Sequence, residues 1–191
     1  MQKKATHFES KIQKYVSLNQ YVSHNGVVIF GGSESHEVSL DEIKDAFNLD
    51  EHVYNRSFSG MTLDDASDLY DKTVATMKPS AVLLQIGAAD TPDNFDEKFL
   101  ALVSHIKEAS KGAKIYIVGY RDEAKSDLND RLMKLAYLAA CEFVAIADSS
   151  RTASRSKVEM MNFLDNCGFV CPIKRRRSIT DLTQLIFGAS I

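Results

Sequence analysis

Apolar residues fall along this chain in short, nearly unbroken runs. They are "GVVIF" (26–30), "HVYNRS" (52–57), "AVLLQIG" (81–87), "KIYIVGY" (114–120) and "FVAIAD" (143–148). Four of the five lack the polar alternation of a half-solvated strand, so they predict strands covered on both faces. The stretches between them carry helix signals. Ser39 and Glu42 have capping-box spacing ahead of "IKDAF". Thr62 precedes Asp64 and Asp65, which fits an N-cap and an acidic first turn. Thr91-Pro92 predicts the opening of the next helix, and Gly112 its close. Residues 122–141, 151–165 and 174–187 read as further helices, and 4–23 as a leading one. Strands and helices in alternation predict a doubly wound parallel sheet. The expected fold is a single α/β domain over residues 1–191, a three-layer α/β/α sandwich on a five-stranded parallel sheet in flavodoxin-like order.

Ligands of open parallel sheets bind outside the carboxyl ends of the strands. Those ends fall at residues 31–35, 57–60, 87–90, 119–122 and 148–151, and four of the five contain glycine, which permits tight turns and close backbone approach.

Composition narrows the classes. The chain has 191 residues, 45% apolar and 26% charged, which is globular rather than disordered. A net charge of -3 without a dominant block predicts no nucleic-acid and no membrane partner. "KRRR" (174–177) has no interleaved aromatics and reads as a solvated helix face. The opening "MQKKATHFESKIQKY" is charged and unlike a secretory signal. Cys141, Cys167 and Cys171 are odd in number and unpaired in spacing, which predicts reduced thiols, a cytoplasmic location and no metal site.

The strand ends hold the candidate chemistry. "GGSES" (31–35) precedes a helix, as an anion loop would. It lacks the "GK[ST]" of a phosphate loop and the "GxGxxG" of a dinucleotide fold, so no cofactor is expected. "NRSFSG" (55–60) and "IGAAD" (86–90) supply the next two ends. A serine at one strand end with backbone donors at its neighbours makes an acyl-transfer site, in which the serine attacks and the donors hold the oxyanion.

The three blocks together resemble the SGNH/GDSL hydrolases, most of all the platelet-activating-factor-acetylhydrolase-like esterases. Where that family reads like "VIFIGDSIT", "VVNRGISG" and "LLIGTND", this chain has "VVIFGGSES", "HVYNRSFSG" and "LLQIGAAD", in the same order and spacing. The resemblance covers roughly residues 20–150. It implies a serine ester hydrolase acting on a small acyl or acetyl ester. Ser33 matches the nucleophile, and the amides of Ser33 and Gly60 match two oxyanion donors. The chain also departs from the pattern. Ala89 replaces the asparagine that gives the third donor, while Asp90 is kept. Gly32 replaces the bracing acid of "GDS", and Ser57 stands in for a glycine. The family's closing "DxxH" has no counterpart, because no histidine follows His105. Asp181 and Gln184 have the spacing without the base, and Cys171-Pro172 resembles "HP" with cysteine in the base's place and Gly168 in the acid's. His36, three residues after Ser33, is the nearby candidate base. The expectation is a weak or inactive hydrolase; the alternatives are a non-catalytic binding or interaction module of the same fold, or a flavodoxin-like binder of a phosphorylated ligand at residues 31–35.

Overall fold

The structure is a computed structural model and describes residues 5–36, 40, 52–120, 122–146, 183 and 187. Helix α1 (Ala5–Asn19) leads into strand β1 (Val27–Gly31), the short helix α2 (Ser33–His36) and β2 (Val53–Asn55). Then follow α3 (Leu63–Thr73), β3 (Ala81–Gln85), α4 (Phe95–Ala109), β4 (Lys114–Val118), α5 (Ser126–Leu138) and β5 (Glu142–Val144). The five strands form one sheet in the order β2-β1-β3-β4-β5, and every pairing is parallel. This is the expected flavodoxin-like order, with helices on both sides.

Strand side chains alternate between two cores, as a pleat requires. Val28, Phe30, Val82, Leu84, Ile115 and Ile117 meet Tyr15 of α1, Leu69 and Tyr70 of α3, Phe99 and Leu102 of α4, and Leu132 and Leu135 of α5. Val27, Ile29, Ala81, Leu83, Tyr116 and Val118 point the other way and pack with Leu40 and Phe187. Right-handed crossovers explain the division. The steps from β2 to β3, β3 to β4 and β4 to β5 all run in one direction across the sheet, so α3, α4 and α5 share a face. The step from β1 to β2 runs the opposite way, and Leu40 on that connection lies on the other face. The connections after β1 and β3 therefore diverge, and in open α/β sheets the ligand crevice lies at the carboxyl ends of strands at such a point.

Several boundaries differ from the sequence pattern, each with a local cause. The helix expected from Thr91-Pro92 begins at Phe95, because Asn94 is left-handed (φ 54°) and the Phe95 amide closes a turn onto the Pro92 carbonyl. The Pro signal there marks that turn. The leading helix stops at Asn19, whose side chain leaves the helix to bond the Thr73 carbonyl and the Arg56 guanidinium. The run 52–57 is a strand only over Val53–Asn55, since the Asn55 side chain takes the Ser57 amide. The run 81–87 ends as a strand at Gln85, before Gly87 turns at φ 118°. The run 114–120 ends at Val118, and beyond it Asn129 bonds both the amide and the carbonyl of Tyr120. The helices expected at 151–165 and 174–187 lie outside the described residues, apart from the helical, buried Thr183 and Phe187.

Candidate active site

Gly31 ends β1 where no side chain fits. A Cβ there would stand 2.1 Å from the Gln85 carbonyl oxygen and 2.4 Å from Ser35 Oγ. The chain then turns into α2 with Ser33 as its first residue. Two anchors hold the turn against β3: the Gly32 amide donates to the Gln85 carbonyl (3.0 Å), and buried Ser35 Oγ donates to Gln85 Oε1 (2.9 Å). Gln85 in turn donates through Nε2 to the Gly119 carbonyl (2.9 Å), so this polar side chain is satisfied inside the sheet.

The loop after β2 meets this turn from the opposite side. The Phe58 amide donates to the Gly31 carbonyl (3.0 Å). Ser57 is fully buried, its carbonyl accepts from Tyr15 Oη (2.8 Å), and its hydroxyl has no partner. Phe58 is gripped edge-on by Phe8 and Tyr15 of α1. Burial pushes the Tyr15 hydroxyl up to about 12, so it stays protonated as the donor to Ser57. Gly60 has φ +75°, the left-handed region that glycine enters without strain. That conformation aims its amide at Ser33 Oγ, 3.2 Å away. The Ser33 hydroxyl also lies 3.5 Å from Ser59 Oγ, and both serines are exposed.

Ser33 and Gly60 therefore come together at the crevice, as their sequence positions suggested. Ala89 is in the exposed loop after β3 and offers no side-chain donor. Asp90 follows it and accepts from the Leu63 amide through Oδ1 (2.9 Å), three residues beyond Gly60. Its Oδ2 is buried without a partner. Desolvation pushes its carboxyl above the usual range, outweighing the Leu63 bond. Asp90 thus joins the third strand end to the start of α3. Ala89, Asp90, Thr62, Leu63, Phe95 and Lys98 help to line a shallow pocket of about 230 Å³ beside this junction.

A base for Ser33 is not among its described hydrogen-bond partners, which are Ser59 and Gly60. His36 sits on the same short helix, exposed, with its amide on the Gly32 carbonyl. His24 bonds the Met77 carbonyl, His52 stacks on Tyr54, and His105 pairs with Asp71 between α4 and α3. Cys167, Cys171, Asp181, Gln184 and the 174–177 run lie outside the described residues. Among the described residues there is no cluster of His, Cys, Asp or Glu that could hold a metal ion. Nor is there a helix long and apolar enough to cross a membrane.

Sequence reasoning missed the residues that hold the site in shape: Asn55, Ser59 and Gln85. Asn55 lay inside a quoted block, and its place two residues before Ser57 is the spacing of an Asx turn, the one local signal that was available.

No family model matches the sequence, and no curated protein matches it. Solved structures do match in fold. A protein assigned as a platelet activating factor from Streptococcus pneumonia is 19% identical, with a TM-score of 0.60 over 75% of this chain and 77% of that one. A GDSL-like lipase from Bacteroides thetaiotaomicron is 16% identical, with a TM-score of 0.56 over 70% and 77%. An acetylxylan esterase from Geobacillus stearothermophilus, solved as a catalytic mutant with a histidine changed to alanine, is 14% identical, with a TM-score of 0.50 over 72% and 84%. Sheet order, crossover pattern and these likenesses agree: the chain has an SGNH/GDSL hydrolase-like fold.

Proposed function

We propose that the crevice at Ser33 is an ester-hydrolase-type site that receives a small acyl or acetyl ester and turns it over slowly. The observation that carries this reading is the Gly60 amide 3.2 Å from Ser33 Oγ, at the carboxyl edge of β1. A nucleophile and an oxyanion donor need that juxtaposition. The lipase and acetylxylan esterase neighbours support the substrate class.

The rate is low for two chemical reasons. A serine hydroxyl keeps its proton at neutral pH until a base takes it, and Ser33 has only Ser59 and Gly60 as described partners. Ala89 also removes one oxyanion donor, a loss that typically raises a barrier by about 2.7–4 kcal/mol. A second reading, a non-catalytic binding module in the same crevice, is favoured by the Ser33–Ser59 approach, which sets a hydroxyl where a base would stand.

The test is hydrolysis of p-nitrophenyl acetate by the purified chain and by Ser33→Ala. Slow turnover, only a few-fold above the variant, is expected. Robust turnover abolished in Ser33→Ala would overturn the slow-site reading. No Ser33-dependent turnover, with saturable binding of a short-chain ester, would favour the binding module.

A further inference from the structure

We propose that Asn55 is the positioning residue that holds Ser33 onto the Gly60 amide. The inference rests on the ester-hydrolase reading of the site and adds to it the element that sets its geometry. Asn55 is the last residue of β2 and stands between the two halves of the site. Its Nδ2 donates to the Ser35 carbonyl at 2.7 Å, inside the helix that begins with Ser33. Its Oδ1 accepts from the Ser57 amide at 3.0 Å, in the loop that ends at Gly60. One planar amide therefore ties the serine turn to the donor loop.

Both ends of this tie are directional. The contact to Ser57 is an Asx turn, in which the side chain takes the place of a backbone ladder bond and reverses the strand. The contact to Ser35 reaches a carbonyl of α2 itself, two residues after Ser33. The serine turn is otherwise fastened mainly to β3, through Gln85. Those bonds fix Ser33 relative to the sheet and leave its distance to Gly60 open. The Phe58 amide on the Gly31 carbonyl adds a backbone link, but it acts before the serine turn rather than on it. Gly32 in the resembling motif's acid position contributes no side chain, so the bracing falls to Asn55.

The probe is the backbone amide resonance of Gly60 in a 1H–15N spectrum of the whole chain. Ser33→Ala removes the acceptor and defines where this resonance lies without the bond. Asn55→Ala is expected to move it most of the way to that position. Tyr70→Phe, which removes a buried hydrogen bond to Ser110 between α3 and α4, is expected to leave it in place. A folded Asn55→Ala with Gly60 unmoved would overturn the inference, as would a Ser33→Ala spectrum with no change at Gly60. If Asn55→Ala fails to fold, Asn55→Asp decides in the same way. It keeps the acceptor for Ser57 but sets a carboxylate oxygen against the Ser35 carbonyl. Ester hydrolysis is read in parallel on the same samples. A wild type without Ser33-dependent turnover would refute the proposed function and leave the Gly60 result to judge Asn55.

Discussion

The Gly60 amide donates to Ser33 Oγ across 27 positions of sequence, from a glycine in the left-handed region to the first residue of a helix. Besides Asn55, which bonds both sides of this contact, each side has neighbours of its own. Tyr15 and Phe8 of α1 press on the Ser57–Phe58 loop, while Gln85 of β3 holds the serine turn. The site is assembled where three strand ends and one leading helix converge.

Hydrolysis of p-nitrophenyl acetate should be very weak and fall only a few-fold in Ser33→Ala. In the serine-protease template, loss of a triad member leaves only ~10³–10⁴-fold over water. The His36→Ala variant gives a further check. A Ser33-dependent rate that falls again in His36→Ala would identify His36 as the base.

Ala89→Asn should raise turnover little. It restores a donor type at the third strand end, but it adds no base to Ser33, whose described hydrogen-bond partners are Ser59 and Gly60. Donor and base act as a unit, so their effects do not add. A gain of about 10²-fold, the size of a full oxyanion donor, in steady-state kinetics of Ala89→Asn would count against poor activation of Ser33 as the main defect.

Gly31→Ala should destabilise the fold severely. Its methyl would meet the Gln85 carbonyl oxygen at 2.1 Å and Ser35 Oγ at 2.4 Å, and both belong to the bonded turn. Overpacking of this kind costs about 1–3 kcal/mol, and more where backbone must move. A urea-unfolding midpoint equal to that of the wild type would contradict the close approach.

Asp90 should weaken the fold as pH rises. Desolvation raises its folded-state pKa above the ordinary 3.8, so the folded chain binds this proton more tightly than the unfolded chain. Stability from this group is present below that value and is lost as pH rises through the folded pKa. Asp64 and Asp65 add to the shift, and Lys98 and the Leu63 amide oppose it. Asp90→Asn keeps an acceptor for Leu63 and removes the ionisation. Its stability relative to the wild type should therefore improve from acid toward neutral pH in denaturant titrations. A relative stability that stays flat or falls over that range would show that the shift is absent.

Much of the architecture could be read along the chain. Runs such as 26–30 and 81–87 are apolar on both sides of the pleat, and such a run has few other homes than a strand covered by helices. The order of the runs, with right-handed crossovers, then leads to the sheet order and to the crevice beside Ser33. Gly60 and Asp90 were legible because glycine and acid at a strand end stand in recognisable blocks. Other features depend on partners far away in sequence. Pro92 looks like the first turn of a helix, yet the left-handed Asn94 delays α4 to Phe95. Asn55 looks like a turn former, but its grip on Ser35 spans 20 positions. Ser35 and Gln85 meet across 50. Side-chain periodicity reports which face of an element is buried, because that depends on neighbours three or four residues away. Hydrogen bonds between strand ends depend on which strands lie side by side, and that relation exists only once the sheet has formed.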